Sequence, residues 1–177
     1  MATYKVRRFS LRDLILVLGV CAFPIFTWSL YYFFERLPAW LYYLDLWEIV
    51  GIFAYTQLFA LVESVTILLT LALAAVLLPV FFRGRFVAVG SVLVLFLAGI
   101  AMLVQREDNA LRALSPVPLL IAAAIALTLT LLLVLIYRRT RVQSLVEAFA
   151  ERVSVLLYLY LPISLIGLVV VVIRNMG

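Results

Sequence analysis

Glu63 stands inside the run FALVESVTILL (Phe59 to Leu69), which is otherwise written for lipid. A carboxylate in that setting can handle a proton, a cation or an amine, or it can bond a donor on a neighbouring helix. The residues spaced around it bear on the choice. At about 100° per residue, Glu48, Thr56, Glu63, Thr66 and Thr70 fall on one polar stripe of a helix, joined by Phe59 and Ala74, while Gln57 faces the other way. Small and hydroxylated positions of this kind let membrane helices approach closely. The stripe is therefore expected to face protein, with a carrier role for Glu63 as the alternative. Glu63 is twenty residues from Arg83, about 30 Å of helix. With Arg83 at the inner interface, that spacing predicts a place toward the outer membrane boundary.

Other chemistry is short of parts. Histidine is absent and Cys21 is the single cysteine. Histidine-ligated haem, histidine zinc sites, CxxC relays and Ser-His or Cys-His nucleophiles are excluded on that ground. Cys21 lies in LVLGVCAF, where a buried, inert thiol is expected, and Val20 before it does not suit a lipoprotein signal. Glu107, Asp108 and Asn109 are adjacent and point in different directions, so a solvated loop accounts for them better than calcium, which wants about six to eight oxygens. No metal, cofactor or enzymatic activity is expected.

The elements that must position Glu63 follow from composition. The chain has 177 residues, 68% of them hydrophobic, and its apolar residues come in blocks longer than the roughly 18 that mark a membrane span. Soluble domains are about 45–50% apolar. No segments of alternating polarity suggest a β-barrel. The expected fold is all-α: a multi-pass bundle with spans over about 14–34, 49–82, 86–104, 117–137 and 153–173. A short aromatic helix at the interface is expected over about 38–47, started near Pro38 and carrying Trp40, Tyr42, Tyr43 and Trp47. A surface amphipathic helix is expected over about 142–151, with Val142, Leu145, Val146 and Phe149 on one face. The second span is too long for a core of about 30 Å and must tilt, bend or protrude. Pro162, inside the fifth, removes the partner of the Tyr158 carbonyl.

The net charge of +5 does not point to nucleic acid, because the basic residues sit at the ends of apolar blocks. Arg83, Arg85, Arg138, Arg139 and Arg141 are expected to anchor at lipid headgroups. Together with Lys5, Arg7, Arg8, Arg12 and Arg152 they share one side of a five-span topology, against Arg36, Arg106, Arg112 and Arg174 on the other. The positive-inside rule then predicts a cell-membrane protein with a cytoplasmic N-terminus and the C-terminus opposite. Ala122, Ala126 and Thr130, at spacing four, form a further small-residue face, and Gly90, Ser91, Ala98 and Gly99 another. The expected partners are the bilayer and other membrane-protein subunits, or a second copy. The expected function is that of a non-catalytic subunit or accessory protein, with a small ion- or proton-coupled carrier as the alternative.

Overall fold

The computed structural model describes residues 10–82, 85–106 and 117–176, and no side chain within 103–123. Arg83, Gly84, the trio Glu107, Asp108 and Asn109, and the side chain of Ala122 therefore lie outside what is described. The described residues are mostly helical, with no strand among them: α1 Leu11–Trp40, α2 Leu46–Leu77, α3 Pro79–Phe82, α4 Phe86–Arg106, α5 Val117–Arg138, α6 Thr140–Ser154 and α7 Leu157–Met176. Of these, α1, α2 and α7 are long and apolar enough to cross a membrane. Shorter apolar stretches occupy the described parts of α4 and α5.

Local chemistry sets the ends. Ser10 and Asp13 form a capping box: the Arg12 N–H donates to Ser10 Oγ at 3.3 Å and the Ser10 N–H to Asp13 Oδ2 at 3.2 Å. This starts α1 three residues before the apolar run. Asp45 and Glu48 do the same for α2, with the Asp45 N–H donating to Glu48 Oε2 at 3.0 Å. That second box removes the separate interfacial helix expected over 38–47. Pro38 lies in the last turn of α1, residues 41–44 form a turn, and α2 begins at Leu46. Tyr42 and Tyr43 project from this turn, 85% and 86% exposed.

The second apolar run also departs from one continuous helix. Pro79 has no N–H and disfavours helical geometry in the residue before it. Leu78 accordingly leaves the helix at φ −120°, ψ 58°, and Pro79 opens the short α3. The break after Leu77 shortens the run only a little, because α2 alone has 32 residues, about 48 Å of helix.

α1 is the central helix, packed against α2, α4, α6 and α7. One core joins Val17, Val20 and Cys21 of α1 to Leu71 and Ala75 of α2, Val89 and Val92 of α4, Ile136 of α5 and Ala150 of α6. A second joins Ala22 and Phe26 of α1 to Ala60 of α2 and Leu157 and Tyr160 of α7, with the Phe26 and Tyr160 rings stacked at 4.4 Å. The amphipathic helix is correspondingly docked on the bundle. Ala150 and Val153 are buried, Val142 and Val146 pack on the first core, and Leu145 is left 70% exposed. A Cβ on Gly19 would come within 2.6 Å of Ser154 Cα, so α6 and α1 meet backbone to backbone. Arg12 pairs with Glu151 at 2.6 Å beside that crossing. The last helix therefore starts at Leu157, after α6 has ended at Ser154.

Candidate functional site

α2 presents two different faces. The first is the seam with α7, where the buried Gly51, Ala54 and Gln57 face Arg174, Gly167 and Ser164. Small residues bring the two backbones together: a Cβ on Gly167 would lie 2.9 Å from the Ala54 carbonyl oxygen. Ser164 Oγ lies 2.9 Å from the Tyr160 carbonyl and 3.3 Å from the Gln57 carbonyl across the seam. At one end, Asn175 Nδ2 donates to Tyr55 Oη at 2.8 Å. The Gln57 side chain is 1% exposed and its Nε2 has no hydrogen-bond partner among the described residues.

The second face carries the carboxylate. Glu63 and Thr66 line a groove of about 810 Å³ whose floor is α1, from Cys21 to Tyr32, and whose walls are α2 and α4. Both residues are exposed, as is Thr70 further along the same face. Phe59, Val62 and Leu97 on the rims are 62%, 53% and 59% exposed. Among the described residues, the polar stripe is therefore not sealed against another helix. α4 lies against α1 and barely touches α2, which leaves the slot between them open sideways.

The members of the stripe play different parts. Glu48 caps α2 and does not line the groove. Thr56, Thr66 and Thr70 each donate to a carbonyl of their own helix, those of Ile52, Val62 and Thr66, at 2.7, 2.8 and 2.8 Å. Their hydroxyl protons are thus engaged, which leaves the Glu63 carboxylate without a donor from them. Pro24 was not singled out by sequence reasoning, although a proline inside an apolar run is a readable signal. It sits in the groove floor and takes away the helical partner of the Val20 carbonyl.

The antiparallel register of α1 and α2 gives Glu63 its height. Phe33 and Phe53 meet edge to face at 5.0 Å. Glu63 lies ten residues further along α2, about 15 Å, and lines the groove together with Pro24 and Ile25. It is therefore level with the middle of the apolar run Leu14–Phe34 of α1, not with its end. The twenty-residue count from Glu63 to Arg83 runs through the break at Leu78 and so is not a length of continuous helix.

The arginines also separate. Arg85 Nη1 donates to the Tyr137 carbonyl at 3.2 Å and its guanidinium lies 5.0 Å from the Tyr137 ring centroid, tying the start of α4 to the C-terminal end of α5. Arg138, Arg139 and Arg141 are exposed around the α5–α6 junction. Among the other small-residue faces, Gly90 and Ser91 are buried, whereas Gly99, Ala126 and Thr130 are exposed.

Comparison of the chain with protein-family models, with curated protein sequences and with solved structures yields no match.

Proposed function

We propose that this chain is a non-catalytic subunit or accessory protein of a larger membrane assembly and that it engages its partners through the side-opening groove between α2 and α4. The observation that carries the reading is the exposed carboxylate of Glu63 on a wall otherwise made of aliphatic, aromatic and threonine side chains. A charged side chain facing lipid is costly, and an adjoining protein surface relieves that cost. In this proposal α4 and α5 are also spans, giving five, with the N-terminus cytoplasmic and the C-terminus outside. The support is the distribution of basic residues between the two ends of the bundle. The exposed Arg138, Arg139 and Arg141 then meet anionic headgroups on the cytoplasmic side. Reporter fusions after Arg141 read cytoplasmic on this account, and fusions at Gly177 read external.

A small ion- or proton-coupled carrier is the second reading, favoured by the height of Glu63 near the middle of the α1 apolar run. Glu63→Gln separates the two, because an amide keeps the acceptor but cannot ionise. A subunit role predicts normal co-purification with partners and normal growth. Normal assembly with lost cellular function supports the carrier and contradicts the subunit.

A further inference from the structure

Resting on the subunit reading, we infer that the α2–α4 groove receives a membrane-spanning helix of a different chain, one that carries a hydrogen-bond donor (Lys, Arg, Asn or Gln) half-way along its span and presents it to Glu63. The inference starts from height. Glu63 lies about 15 Å below the Phe33–Phe53 contact, beside Pro24 and Ile25 of the groove floor. A bilayer core is about 30 Å thick, so an occupant must bring its polar group to the middle of the span.

That requirement sorts the candidates. A phospholipid has its amine or phosphate at the boundary, about 15 Å from Glu63, and would lay methylenes against the carboxylate. A small amine needs a pocket that buries most of its surface, and this slot is open along its length. A second copy offers no cationic donor and no exposed amide donor within its spans. Across 14–34, 49–77, 86–102, 117–137 and 157–173 the chain has no Lys, Arg or Asn, and its one Gln, Gln57, is buried in the α7 seam. Two copies paired face to face would also set Glu63 against Glu63. Thr56, Thr66 and Thr70 cannot satisfy the carboxylate either, since each donates to its own helix. A helix from another chain with a mid-span donor meets all of these conditions, and charge complementarity to Glu63 fixes its register.

The test places a photo-crosslinking phenylalanine analogue at Phe59 and at Leu97 on the groove rims, and at Leu165 and Val169 on α7 as controls. All four are exposed, and α7 packs on the opposite face of α2. The full-length protein is crosslinked in native membranes and the adducts are mapped by peptide mass spectrometry. The expected result is an adduct from Phe59 and Leu97, not from the α7 positions, to a spanning segment of another protein with Lys, Arg, Asn or Gln near its centre. Glu63→Leu, which adds an apolar side chain at an exposed position and so leaves folding intact, should lower the groove adduct about threefold to twentyfold, the span of measured intramembrane hydrogen bonds. Glu63→Gln keeps the acceptor and should retain the adduct. Groove adducts only to lipid, only to a second copy, or to a segment without such a donor overturn the inference, as does an adduct unchanged by Glu63→Leu. Native mass measurement of the same extract keeps the two levels apart. A partner bound but crosslinked only from α7 defeats the inference and leaves the subunit reading standing, whereas a chain that extracts alone defeats both.

Discussion

The two faces of α2 differ in one respect that matters: among the described residues, one is covered by a helix of this chain and the other is left open. On the α7 side, Ala54 and Gly167 bring the backbones together, Ser164 bridges toward Gln57, and Tyr55 accepts from Asn175. On the groove side, an ionisable group and exposed aliphatic rims meet no further helix among the described residues. In lipid, exposed aliphatic residues need no explanation, because the solvent is as apolar as they are. An exposed carboxylate does. The contrast teaches that polarity, not apolar exposure, marks an incomplete surface on a membrane protein.

The largest effect should come from the completed face. Gly167→Leu forces a side chain into the Ala54 carbonyl and should destabilise the bundle by about 1–3 kcal/mol or more, read as a lower midpoint in thermal unfolding in detergent. The same substitution at Gly99, which has no atom near a prospective Cβ, should leave the midpoint nearly unchanged. Equal losses at both sites would erase the distinction between sealed and open surfaces.

Next in size is the start of α2. Asp45→Ala removes one half of its capping box and should cost about 1 kcal/mol, in the same unfolding assay. No loss would mean that the turn at 41–44 holds the hairpin without the cap.

On the open face, Glu63→Gln should change intrinsic stability by less than about 1 kcal/mol, since no other residue of the described chain depends on it. A collapse of the isolated subunit on this substitution would show that Glu63 is bonded within the chain after all. The smallest effect, and one of opposite tendency, concerns Gln57. Its Nε2 is buried without a partner, and an unsatisfied buried donor is a cost. Gln57→Leu should therefore be neutral or slightly stabilising, whereas strong destabilisation would point to a bonded water in the seam.

How much of this was legible beforehand depends on the range of the interaction involved. Apolar runs longer than a membrane core made the all-α character plain. The capping pairs Ser10–Asp13 and Asp45–Glu48 and the Leu78–Pro79 break were equally present in the sequence, at three residues' spacing or less, and would have divided 38–47 and 49–82 as the structure does. Periodicity put Glu63 and Gln57 on different faces of α2, but it carries no information on which face another helix covers. That answer lies in contacts such as Ser164 with Gln57, separated by more than a hundred residues. The register that sets Glu63 beside the α1 floor is also tertiary: it follows from the Phe33–Phe53 contact, whereas a count along the sequence from Arg83 assumes an unbroken helix. The docking of α6 likewise depends on Gly19 meeting Ser154, which an amphipathic pattern alone cannot distinguish from a helix lying on lipid.

The central claim is that this chain is one part of a larger assembly, completed on its α2–α4 face. Native mass spectrometry of the full-length protein extracted in mild detergent tests it most directly. The account predicts a mass equal to this chain plus a stoichiometric, different membrane protein. A lone monomer, or a homodimer, would contradict it.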